Sequence, residues 1–219
     1  MLSPPGGLMN RLMLVCLFAT IALSSWAQDH VINAPNFTLR LKQAADHQTL
    51  SLSGNFAAGD YNRAKPIFDR LDGSKRVLIV ELNFGGGLDN PIETFARRLR
   101  RYCRENSCQI VTVIPTGAWC ASYCIPIYMQ GEVRATIAGG HFGFHVATLS
   151  TPIGTFNMIS AMLGNYAQYG VSRAWLNENR RYFEQRDITA LSPQELAGSN
   201  IVTHQFGTKD EFAEFVGRL

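Results

Sequence analysis

Residues 117–145, GAWCASYCIPIYMQGEVRATIAGGHFGFH, hold the side chains of this chain best suited to covalent chemistry. Ser122 stands between two cysteines in C-A-S-Y-C, after the apolar stretch IVTVI (110–114), and His145 ends a second apolar stretch, GHFGFH. A serine hydroxyl is a poor nucleophile until a neutral imidazole takes its proton. The first reading is therefore that Ser122 attacks and His145 is its base. The short run ASYCIPIYMQ suits a helix beginning near the serine, because Pro126 is best tolerated in a first turn. A serine there serves either as a plain N-cap or as a nucleophile beside amides that stabilise an oxyanion.

Other groups could join them. Gly85-Gly86-Gly87 make either a tight turn or a stretch whose backbone N–H groups can approach a substrate oxygen. Asp187, in EQRDITALSPQEL, reads equally as a turn or cap residue and as a functional carboxylate. Cys120, Cys124, His141 and His145 have C-x3-C and H-x3-H spacings, but residues four apart on a strand lie roughly 13 Å from each other and cannot share one metal. No metal and no other cofactor is expected.

These residues need a frame. TLSLSGNF (49–56) alternates as an opening strand should, and RVLIVELNF (76–84) is an apolar, β-branched run suited to a strand buried on both faces. Between them AKPIFDRLDG predicts a short helix, with Pro66 in its first turn and Gly73 at its end. After the glycines, Asp89-Asn90-Pro91 with Ile92, Phe95, Ala96 and Leu99 at helical spacing predicts a capped helix, and CQIVTVI the next strand. This repeat predicts an α/β core with a mainly parallel sheet and right-handed crossovers. In GHFGFHVA, His141, Gly143 and His145 share one face and Phe142, Phe144 and Val146 the other. TLRL (38–41) reads as a short edge strand, 154–183 as two helices broken at Gly170, Ser192-Pro193 as the start of a short helix and NIVTHQF as a closing strand.

The chain of 219 residues, 46% hydrophobic and 17% charged, has the material for one real core. Its first residues carry a positive start, the apolar run 12–23 and SSWA, the pattern of a secretory signal cleaved after Ala27. That run is shorter than the ~20 residues of a spanning helix, so no stable membrane span is expected after cleavage. The reading is a signal over 1–27, an N-terminal edge segment over 28–48 and an α/β domain over 49–219, periplasmic or secreted. Export would place Cys103, Cys108, Cys120 and Cys124 in an oxidising compartment. A strand over 109–115, at roughly 3.3 Å per residue, separates Cys108 from Cys120 and favours the local pairs Cys103–Cys108 and Cys120–Cys124. A net charge of +3 is too small to point to nucleic acid, and Arg97, Arg98, Arg100, Arg101 and Arg104 lack interleaved aromatics and read as a solvated helix face.

Taken in order over residues 49–205, SLSGNF, LIVELNFGGG, CASYC, VRATIAGGHFGFH and DITALSPQELAGSNIVT resemble the ClpP/crotonase superfamily, and within it the exported, periplasmic Clp-protease-like proteins. The resemblance implies a spiral of βαβ units and a serine endopeptidase of peptides or unfolded protein. Its triad would be Ser122, His145 and Asp187, with Gly87 and Tyr123 as oxyanion donors, and it would form a homo-oligomer. Removing one such donor should raise the barrier by roughly 3–4 kcal/mol. A serine-lysine variant is disfavoured because no lysine lies between Lys75 and Lys209. Two other readings stand beside this one: a catalytically inactive peptide- or protein-binding module on the same fold, and a crotonase-type reaction on a thioester, which export disfavours.

Overall fold

The computed structural model describes residues 29–146, 148–151 and 154–219, so the run 12–23 and the cleavage expected after Ala27 lie outside the described residues. The chain enters through β1 (His30–Asn33), β2 (Phe37–Gln43) and β3 (His47–Phe56), an antiparallel meander in which alternate residues of β2 and β3, among them Leu39, Leu41, Leu50 and Leu52, are buried. A short α1 (Asp60–Ala64) and a 3₁₀ turn over Lys65–Arg70 then lead to β4 (Val77–Gly87).

β4 pairs in parallel with β3 along its whole length, from His47↔Val77 to Phe56↔Gly87, with a register shift at Gly54/Asn55. The three glycines are therefore the end of a strand. The tight-turn reading gives way because Leu88 still donates its N–H to the Phe56 carbonyl at 3.0 Å, so the ladder continues through the glycines. α2 (Asp89–Asn106) follows at once, with Leu88, in extended conformation, at its N-cap position. Ile92, Phe95, Ala96 and Leu99 are fully buried against the sheet, as their spacing predicts.

On its other edge β4 forks. Val77–Glu81 pair with β5 (Gln109–Ile114), whereas Phe84 pairs with Cys120 in the short β6 (Trp119–Ala121). α3 (Cys124–Tyr128) is entirely buried, and β7 (Val133–Ile137) returns beside β5. β8 (His141–Phe144) runs parallel to β6. Beyond it, β9 (Thr148–Thr151) and β10 (Gly154–Asn157) form a separate antiparallel pair, so the helix expected from 154 begins only at Ile159.

α4 (Ile159–Gln168) and α5 (Arg173–Glu178) are followed by β11 (Thr189–Leu191), which pairs antiparallel with β8, and by turns over 193–198 where a helix was expected. There the Glu195 carboxylate accepts from both the Ser192 hydroxyl and its N–H at 2.8 Å, closing a turn that goes no further. β12 (His204–Phe206) completes the strand order β1-β2-β3-β4-β5-β7-β12 as a parallel neighbour of β7, and α6 (Lys209–Val216) ends the chain.

The sheet buries both faces. One packs α2, α3, α4 and α5 around an aromatic cluster in which Phe56 meets Phe84 at 5.3 Å and Phe95 at 5.6 Å. The other packs Phe212 and Val216 of α6 on Ile79, Val111, Val113 and Ile137. Two disulfides join Cys103 to Cys108 and Cys120 to Cys124, the local pairs read from the sequence. No helix of the described residues is long and apolar enough to cross a membrane.

Asp60 holds the segment between β3 and α1. Its carboxylate is inaccessible to solvent and accepts from the Ala57 N–H at 2.7 Å and the Arg63 guanidinium at 2.6 Å. Burial alone would raise the carboxyl; the Ala57 N–H, Arg63 and Asn36 outweigh it and hold it below its ordinary value. A depressed carboxylate stabilises the fold above its unfolded pKa, and that stability is lost as pH falls through the lowered range. Asp60→Ala should therefore unfold more easily in urea at pH 7, by about 1–3 kcal/mol. The gap to wild type should close on acidification; a gap that persists undiminished to about pH 2 would show that ionisation of Asp60 is not its source.

Candidate active site

Ser122 directly follows β6 and His145 directly follows β8, and the parallel register of these strands brings the two together. Trp119, Cys120 and Ala121 lie opposite His141, Phe142 and Gly143, and the Ser122 N–H continues the ladder to the Gly143 carbonyl at 2.8 Å. Both residues thus stand beyond the carboxyl ends of parallel strands, the usual place for a site in such sheets. Phe142 and Phe144, fully buried, fix the face that β8 turns inward.

The serine itself is in an unusual conformation. Its φ is +52°, in the left-handed region that residues with a Cβ seldom adopt. The turn from β6 into α3 requires it, and the Ile125 N–H closes that turn on the Ser122 carbonyl at 3.1 Å. From this position the Ser122 Oγ lies 2.8 Å from His145 Nε2. The other ring nitrogen, Nδ1, is 2.9 Å from the Val146 carbonyl oxygen. A carbonyl can only accept, so in the neutral ring Nδ1 carries the hydrogen and Nε2 presents its lone pair to the serine hydroxyl. This is the tautomer a general base needs.

Asp187 is exposed, on a bend two residues before β11, and among the described residues no hydrogen bond joins it to His145. Its segment nevertheless runs alongside the histidine: the Val146 N–H donates to the Gln185 carbonyl at 2.7 Å, and Thr189 pairs with Phe144. The expected carboxylate contact is therefore not made, because the backbone carbonyl of Val146 already holds Nδ1.

Gly86 and Gly87 press against the serine turn from β4. Gly86 has φ +97°, and a Cβ there would stand 2.8 Å from the Ala121 carbonyl and 2.9 Å from the Tyr123 nitrogen. Gly87 has φ +125°, and a Cβ would fall on the Phe56 carbonyl. The two glycines thus bring bare backbone of β4 between β3 on one side and the Ser122–Tyr123 turn on the other.

A narrow cleft leads from Ser122 between α2, α3 and α4, walled by Tyr123, Pro126, Met162, Tyr166 and Tyr169, with Glu93 at its rim paired to Arg97 at 3.1 Å. Burial, and then the neighbouring Tyr123, push the Tyr166 phenol well above its ordinary value, so it stays neutral beside the Ser122 carbonyl. A larger cavity, about 550 Å3, lies on the opposite face of the sheet beneath α6, remote from Ser122.

Sequence reasoning missed Gly86 and the Val146 carbonyl. The glycine triplet signalled a backbone approach without saying which residue makes it, and no side-chain pattern announces a carbonyl. Gly86→Ala should destabilise the protein by about 1–3 kcal/mol in urea and draw Ser122 out of reach of His145 in the variant's crystal structure; unchanged stability and an intact contact would show that the close approach tolerates a side chain.

No family model and no curated protein matches the sequence. Solved structures do match the fold. A membrane-bound stomatin-specific protease is similar with TM-score 0.56 at 13% identity, over 78% of this chain and 85% of that one. ClpP1 from Listeria monocytogenes is similar with TM-score 0.53 at 16% identity, over 74% and 93%. A methylmalonyl CoA decarboxylase is similar with TM-score 0.57 at 10% identity, over 82% and 71%. At these identities the likeness is one of architecture: the chain is a mixed α/β domain with a mainly parallel central sheet and the ClpP/crotonase fold.

Proposed function

We propose that this protein is a serine peptidase acting on peptides or unfolded protein, with Ser122 as nucleophile and His145 as general base. The observation that carries the reading is the 2.8 Å approach of Ser122 Oγ to His145 Nε2, with Nδ1 committed to a carbonyl so that Nε2 is free to accept the proton. Attack on a scissile carbonyl would form an acyl-serine, with the proton passing through His145 to the leaving amine, and water activated by the same imidazole would release the acid. The amides of Gly87 and Tyr123 are the proposed oxyanion donors, since Gly86 sets the two segments against each other.

Asp187 completes a triad only if it displaces the Val146 carbonyl from Nδ1. The carbonyl fixes the tautomer as a carboxylate would but brings no full negative charge to the imidazolium. The two arrangements therefore differ in how strongly they support the base. Two disulfides suit an oxidising compartment and support the proposal of an exported, periplasmic or secreted protein. Homo-oligomeric assembly is proposed on the resemblance alone. The binding-module reading draws on the exposed Asp187 and the narrow cleft.

A fluorophosphonate probe tests the reading directly. The oxidised full chain should be labelled, Ser122→Ala should not, and His145→Gln should react roughly 10²–10⁴-fold more slowly. Asp187→Asn should stay within a few-fold of wild type if the carbonyl suffices, whereas a loss as large as that of His145→Gln would bring the carboxylate into the machinery. No serine-dependent labelling between neutral and mildly alkaline pH would leave the binding module as the better account.

A further inference from the structure

The Cys120–Cys124 disulfide brackets the nucleophile symmetrically, and nothing in the acyl-transfer reading uses it. Cys120 is the middle residue of β6, paired on one side with Phe84 of β4 and on the other with Phe142 of β8, while Cys124 is the first residue of α3. Both are fully buried, and their Cα atoms stand 5.3 Å apart. Within those five residues the chain must leave a strand, place Ser122 at φ +52° and enter a helix of only five residues whose N-cap, Tyr123, makes no side-chain cap bond.

A residue with a Cβ is strained in the left-handed region, so a turn free to relax would let Ser122 return to negative φ. Relaxation would rotate Oγ away from His145 Nε2, and a misplacement of about 1 Å is enough to lower a rate roughly 100-fold. Two hydrogen bonds resist it, Ser122 N–H to Gly143 and Ile125 N–H to Ser122, but both leave from the serine's own backbone. The covalent link is different, because it ties the strand before the turn to the helix after it.

We propose that the Cys120–Cys124 disulfide is a positioning element of the active site and makes the reactivity of Ser122 dependent on redox state. The oxidised form holds Ser122 against His145. Reduction by a dithiol reductant transfers two electrons and two protons, giving the Cys120 and Cys124 thiols and the reductant's own disulfide, and releases the turn. Reoxidation restores it. The proposal rests on the nucleophile reading of Ser122. The protein supplies its own control, since Cys103–Cys108 joins the end of α2 to the start of β5, away from the Ser122 turn.

The experiment compares Cys120→Ala/Cys124→Ala with Cys103→Ala/Cys108→Ala in the full chain, both folded by circular dichroism at the working temperature. Either pair is expected to lower Tm, so Tm does not decide the matter. Fluorophosphonate labelling should fall about tenfold or more in the first variant and stay within about threefold of wild type in the second. Wild type reduced with dithiothreitol should fall likewise and recover on reoxidation. Equal labelling rates in the two variants would overturn the proposal. If oxidised wild type does not label at all, the peptidase reading fails, and the positioning role is read from the His145 ring resonances, which report the contact with Ser122 without turnover. Those resonances should move in the first variant only; if they move in neither variant or equally in both, the disulfide does not position Ser122.

Discussion

Much of this structure is arranged around one serine held where a serine does not readily go. The nucleophile we propose needs its hydroxyl, so glycine would not serve there, yet the passage from β6 to α3 requires a positive φ of the kind glycine adopts without strain. The surroundings therefore have to over-determine Ser122. The Gly143 carbonyl takes its N–H, Gly86 fills the space behind it with bare backbone, and α3, entirely buried, cannot shift without disturbing the core. Gly86 is a glycine because Ser122 is not.

The fork in β4 makes that arrangement possible. Its first half belongs to the ladder with β5, and its end turns to pair with β6, so a second, smaller set of strands branches from the main sheet. In that branch β6 and β8 run parallel and end together, with β11 bracing the far side of β8. Ser122 and His145 follow strands over twenty residues apart in sequence, and their approach at 2.8 Å is set by strand register rather than by either residue's local environment. The aromatic packing of Phe142 and Phe144 in the core fixes the register of β8, because a one-residue slip of that strand would turn both to the other face.

The His145 ring is held in a plainer way than a carboxylate would hold it. A carbonyl oxygen at 2.9 Å determines which nitrogen is protonated and where the ring points, and it does so with backbone that β8 and the Gln185 contact already fix. What it lacks is charge. In the proposed reaction, geometry and backbone amides would have to make up for it.

The sequence alone determined the parallel α/β class, the buried faces of the central strands and of α2, and both disulfide pairs, and it singled out Ser122 and His145, which the fold brings within hydrogen-bond distance. Each of these follows from spacing, whether apolar periodicity, cysteine separation or the order of motifs along the chain. The tertiary structure decided what depends on distant partners. The glycines extend β4 because β3 lies alongside to pair with them, and residues 154–157 are a strand because 148–151 provide one. Asp187 is carried beside the histidine by β11, yet it is exposed while the carbonyl of Val146 takes its expected place. No sequence pattern marks such a carbonyl, since every residue has one and only the folded backbone aims it. The same holds for the bracketed serine: C-A-S-Y-C announced the local cysteine pair, and only the fold showed that the serine between them takes a positive φ.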